Sequence, residues 1–122
     1  MSPLTPEEDS FFAGDEKALG VYRAIRSAIE AIGPAELKVS KSQIGFCRAH
    51  PFAAVWRPVQ YLSGERAPVV LSVFLRGRDP SPRWKEVVEP SPGRFTHHAE
   101  LRSGAEVETF EHALAEAWRQ SA

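Results

Sequence analysis

Apolar residues recur at helical spacing near both ends of the chain and alternate with polar ones between. Leu19, Tyr22, Ile25, Ile29 and Ile32, widened by Val21 and Ala28, fall on one face of a 3.6-residue repeat and predict a helix laid against a core. Asp15 is placed to cap it, Glu16 suits the positive end of its dipole, and Gly33-Pro34 stops it, so the helix should cover residues 15–32. Ahead of it, Thr5-Pro6-Glu7-Glu8 combines a cap, a proline at the first helical position and a glutamate at the third. That combination predicts a short helix over residues 6–12. Near the other end, Ser103-Gly104-Ala105-Glu106 has the spacing of a capping box and leads into Val107, Phe110, Leu114, Ala117 and Trp118. It predicts a helix over residues 104–120, with Trp118 in the core.

From residue 35 to 102 the texture changes to short β-rich runs separated by turn residues. Six strands are expected, near 36–40, 43–49, 52–58, 68–76, 84–89 and 94–102, with turn signals at Ser63-Gly64, Asp79-Pro80 and Pro90-Ser91-Pro92-Gly93. The last two strands read as a hairpin. Alternation puts Leu37 with Val39, Ile44 with Phe46, Val69 with Leu71, Val73 and Leu75, and Phe95 with Leu101 on shared sides, which leaves the sheet one wet face. The expected fold is therefore α+β. It is a two-layer sandwich in which an antiparallel sheet of about six strands is flanked by an N-terminal helix over residues 15–32 and a C-terminal helix over residues 104–120. No repeat or linker divides the sequence, so residues 1–122 should form one domain, with residues 1–5 flexible.

Composition narrows the picture further. A chain of 122 residues buries roughly two-thirds of its unfolded surface and needs no metal or disulfide to fold. The single Cys47 excludes an internal disulfide, and the acidic N-terminus lacks the order of a signal peptide. A cytoplasmic protein with no membrane partner is expected. The net charge of −1 conceals an asymmetry: residues 35–94 carry ten Lys/Arg against five Asp/Glu, a net +5, and the flanks carry −6. A basic sheet between acidic helices follows from that distribution.

Candidate chemistry is sparse. His97-His98 contains the residue type that ligates metals and titrates near neutrality, but adjacent strand residues point to opposite faces and cannot readily share one metal ion. By register His97 should be a hydrogen-bonded core histidine and His98 should face solvent. Cys47 and His50 lack a second pair to complete a zinc site, and Cys47 reads as a small buried thiol. His112, beside Glu108, Glu111 and Glu116, reads as a surface residue. The sequence has no phosphate-binding loop and no nucleophile elbow, and no cofactor or metal is expected. What remains is a set of cations interleaved with Phe52, Trp56, Tyr61 and Trp84, a pattern suited to pairing phosphates and stacking bases.

The order Lys41-Ser42-Gln43-Ile44-Gly45-Phe46, then Phe52-Ala53-Ala54-Val55-Trp56, then Gly93-Arg94-Phe95-Thr96-His97-His98-Ala99-Glu100-Leu101-Arg102-Ser103, resembles the bacterial domain-of-unknown-function family numbered 5655. The likeness extends from Phe11-Phe12-Ala13-Gly14 to Trp118. It implies no catalytic residues, since the family has no established activity. Members occur alone or joined to other domains, nuclease-like ones included, which implies an accessory or binding role in nucleic-acid metabolism. Cys47-Arg48-Ala49-His50 is less basic than the family pattern and argues against a polyanion site in that turn.

The functional expectation is a non-catalytic binding or accessory module. Its anionic partner, nucleic acid or an acidic protein surface, would meet a basic sheet face carrying Lys38, Lys41, Arg57, Arg94 and His98. The alternative is a small-ligand protein or enzyme with a cleft between sheet and helices, using His97 or His98 with Tyr61. A third expectation is a homodimer joined at a sheet edge, drawn from Pro58 and Pro68.

Overall fold

In a computed structural model, described here for residues 3–58 and 66–122, the chain forms three α-helices, six strands and one 3-10 helix. The order is α1 (Pro6–Phe12), α2 (Glu16–Ile32), β1 (Glu36–Val39), β2 (Ile44–Cys47), β3 (Pro51–Trp56), β4 (Val69–Leu75), β5 (Glu86–Ser91), β6 (Arg94–Leu101), the 3-10 helix (Gly104–Phe110) and α3 (Glu111–Gln120). The strands make one antiparallel sheet in the order β1-β2-β3-β4-β6-β5. Tyr61 and the Ser63-Gly64 turn signal lie outside the described residues.

Alternation along the strands decides which face the helices cover. Ile44, Phe46, Val55, Leu71, Val73, Ala99 and Leu101 join Phe12, Tyr22, Ile25, Phe110 and Leu114 in one buried cluster, so α1, α2 and α3 contribute to the same side. Tyr22 is the pivot. Its ring lies against Phe12 and Phe46, and its hydroxyl donates to the buried carboxylate of Glu8. Glu8 also accepts from the Thr5 N–H at 2.8 Å and pairs with Arg26 at 2.9 Å. The capping box foreseen at Thr5 has thereby become a buried polar network that ties α1 to α2.

Three expectations need correction. The C-terminal helix is 3-10 over Gly104–Phe110 and α-helical only from Glu111. Three residues per turn place Val107 and Phe110 one above the other, and both are buried. Glu106 still reaches back to the Ser103 N–H at 2.9 Å. The fifth strand begins at Glu86 instead of residue 84, because Trp84 leaves the sheet line and is buried in the core cluster. Pro58 and Pro68 do not mark a sheet edge. They flank the central strands β3 and β4, and the edges are β1 and β5, with Pro90 tolerated in β5.

Candidate functional site

The face away from the helices carries a row that crosses all six strands: Lys38, Gly45, Ala54, Ser72, His98 and Glu86 are successive cross-strand partners. Lys38 and His98 thus share a face, four strand spacings or about 19 Å apart. Arg94 has the same parity as His98. Lys41 lies in the β1–β2 turn, at the opposite end of the strands from the β5–β6 turn. Glu36, Glu86 and Glu100 occupy this face too, so the face is mixed in charge.

Arg57 corrects the expectation that it faces solvent. It is only 9 % exposed, because the chain leaving β3 turns its side chain toward the α1–α2 junction. There it pairs with Asp15 at 2.9 Å and donates to the Phe11 carbonyl at 3.3 Å. The Ala18 N–H and this guanidinium hold the Asp15 carboxyl below its ordinary range.

The two histidines occupy separate environments. His97 is fully buried, with its Nε2 2.9 Å from the Asp79 N–H and its Nδ1 3.3 Å from the Val73 carbonyl. An amide N–H can only donate, so Nε2 accepts and Nδ1 carries the proton. Trp84 lies 5.0 Å from the imidazole, ring centre to ring centre, and its own N–H donates to the Asp79 carboxylate at 2.7 Å. On the other face His98 Nδ1 is 2.7 Å from the hydroxyl of Ser72, with Glu86 its neighbour on β5. Burial lowers the His98 pKa and Glu86 opposes the shift. Ser72 is 3 % exposed, whereas His98 is only partly buried.

Arg48, Arg76 and Arg94 gather at one end of the sheet. Leu75 pairs with Phe95 where the β4–β6 ladder closes, so Arg76 and Arg94 are the next neighbours beyond it. The same end receives the C-terminus of α3. Arg48 donates to the Trp118 carbonyl at 2.9 Å with its guanidinium over the Trp118 ring, and Arg76 donates to the Gln120 carbonyl at 3.0 Å. These arginines satisfy carbonyls that a helix end leaves open. Among the described residues Arg94 makes no ion pair or hydrogen bond through its side chain, and it stands exposed.

A concavity of about 580 Å³ opens there, lined in part by His50, Phe74, Arg76, Arg94, Phe95 and Thr96, and among the described residues no carboxylate side chain lines it. Its volume falls within the range of small-ligand pockets. Neither His97 nor His98 lines it. Past Arg76 the β4–β5 connection adds Arg78, Arg83 and Lys85, all exposed, against one acid, Asp79. Among the described residues no three His, Cys, Asp or Glu side chains converge on a possible metal site. No helix in the described residues is long and apolar enough to cross a membrane.

Arg94 was a site candidate from sequence and Arg76 only one of the interleaved cations, whereas His50 and Phe74 were not singled out for an anion site. The signal that could have found them is the pairing of β4 with β6, which skips β5 and brings residues 76 and 94 together.

A profile described as Domain of unknown function (DUF5655) matches residues 8–121, nearly the whole chain. The chain belongs to this family. The match begins at Glu8, the carboxylate buried between Tyr22 and Arg26, so this DUF5655 domain takes in the α1–α2 network as well as the sheet. No curated protein and no solved structure matches the chain.

Proposed function

We propose that this DUF5655 domain is a non-catalytic binding module whose anionic partner, nucleic acid in the first instance, docks at the end of the sheet where Arg76 and Arg94 meet. The single observation that carries the reading is the concavity itself. Among the described residues, two arginines, a histidine and two phenylalanines line it and no carboxylate side chain does. Guanidinium groups pair with phosphates, and aromatic rings beside them accept bases without sequence preference. The exposed Arg78, Arg83 and Lys85 extend the positive field along one approach. A basic sheet end thus replaces the basic sheet face as the contact surface, since that face mixes Lys38 with Glu36, Glu86 and Glu100.

The rival reading, a ligand or enzyme site built on His97 or His98, has less support. Both ring nitrogens of His97 are engaged by backbone, and the serine beside His98 is shielded.

Titration of a labelled oligothymidylate at several salt concentrations tests the proposal. Affinity should fall steeply with salt, and Arg94→Gln should weaken binding and flatten the log–log slope by about 0.7, the share of one phosphate contact on a single strand. Lys38→Gln should leave the slope within error. Absence of salt-dependent binding by the unsubstituted protein, or equal effects of the two substitutions, would contradict the reading.

A further inference from the structure

The β4–β5 connection, residues 76–85, holds four of the cations, Arg76, Arg78, Arg83 and Lys85. Only Arg76 is anchored through its own side chain, on α3. The middle of the connection is fastened to the sheet by His97. The Asp79 N–H donates to Nε2 at 2.9 Å, and Nδ1 faces the Val73 carbonyl of β4 at 3.3 Å. The Trp84 N–H closes the loop on the Asp79 carboxylate at 2.7 Å. Trp84 then lies against both the imidazole and Phe110, at 5.0 and 4.7 Å between ring centres. Every polar atom in this arrangement has a partner only when the imidazole is neutral with its proton on Nδ1.

We propose that His97 is a positioning residue for the cationic β4–β5 loop, and that protonating it releases the loop and weakens anion binding. The proposal rests on the reading of the sheet end as the anion site. A second proton on the ring would sit on Nε2 and point at the Asp79 N–H, donor against donor, so the pin at Asp79 must break or turn. Among the described residues the other side-chain hydrogen bond that holds residues 77–83 to the core is the one from the Trp84 N–H to the Asp79 carboxylate, so Asp79 is the single residue on which the pin converges.

The surroundings define the direction of the effect. Burial holds the His97 pKa below the ordinary imidazole value, while the Val73 carbonyl and the Asp79 carboxylate pull upward and Arg78 pushes down. From β5 the cross-strand neighbour is Val87, and from the 3-10 helix the contact runs through Trp84 to Phe110; none of these titrates. Because the folded state prefers the neutral ring, the pin contributes fully above the unfolded value of about 6.5 and is lost as pH falls through the lower folded value. Acid makes the net charge of any protein more positive, which by itself strengthens anion binding. A fall in affinity on acidification therefore runs against the simple charge effect and identifies the pin.

The experiment follows the Asp79 amide and the Trp84 indole N–H by NMR on the whole chain from pH 8 to pH 5, with oligothymidylate affinity measured alongside. Both signals should pass through one transition below pH 6.5, accompanied by a roughly fivefold loss of affinity, the worth of about one phosphate contact. Asp79→Asn keeps an acceptor for Trp84 but removes the attraction for an imidazolium, and should move the transition down by about half a pH unit. Arg78→Gln should move it up. A merely structural histidine would leave the affinity unchanged through the transition. Signals unchanged to pH 5, or a transition that neither substitution moves, would overturn the pin. Affinity that rises through the transition would overturn the positioning role. If the protein binds no oligonucleotide at pH 7.5, the anion reading and the positioning role fail together, and the two NMR shifts still decide whether the pin exists.

Discussion

Arg57, Arg48 and Arg94 belong to the same basic segment, yet only Arg94 keeps its charge available to a partner. Arg57 is buried against Asp15, and Arg48 lies on Trp118 and donates to its carbonyl. The arithmetic of charge along the sequence counts all three alike, whereas the fold spends the first two on helix ends. The same distinction separates exposed ion pairs such as Arg119 with Glu116, which contribute little, from Arg26 with Glu8. The latter pair is buried, and Tyr22 donates to the same carboxylate. Burial and the neighbouring Glu8 carboxylate push the Tyr22 phenol above its ordinary pKa, so it stays protonated and remains a donor. Arg26→Met should destabilise the protein by roughly 3–5 kcal/mol in urea unfolding, because it strands a buried carboxylate. A loss below 1 kcal/mol would show that Glu8 is solvated or neutral in the native state.

At the scale of elements, the helix stripes and the strand alternation were legible in the sequence. They were legible because each is local: a capping residue, a proline and a repeat of apolar positions lie within one element. The 3-10 winding of residues 104–110 was not, since the capping pattern at Ser103 is common to both helix types and packing against α2 and β6 selects the tighter one. Trp118 shows the limit from another side. Its apolar position placed it in the core, and it does pack against the core, but only partly buried, with its N–H on the Pro34 carbonyl at 2.9 Å. That contact brings the ring so close to Gly33 that a Cβ there would lie 2.4 Å from it. Gly33 is extended, with φ 164°, so the constraint is space and not backbone conformation. Gly33→Ala should displace Trp118 and cost about 1–3 kcal/mol, read by thermal unfolding. An unchanged unfolding temperature would mean that the α2–α3 junction yields without cost.

At the scale of the whole molecule, strand order determines what the sequence could not. β5 follows β4 along the chain but sits outside β6, and that crossover joins Arg76 to Arg94 and lays the cationic connection beside them. The sites drawn from sequence were dispersed as a result: Lys38 and His98 share a row, Lys41 lies at the far turn, and Arg57 is inside. His97 and His98 divide between the core and the open face as alternation required. Of the basic segment's cations, Arg48, Arg76 and Arg94 lie at one end of the sheet and Lys41 at the other. The most direct measurement is a backbone amide titration of the ¹⁵N-labelled protein with oligothymidylate at low salt. The account predicts that the largest shifts fall on residues 74–78 and 94–96, including Phe74, Arg76, Arg94 and Thr96. Shifts centred on Lys38, Gly45 and Ala54, or none above those of a salt control, would contradict it.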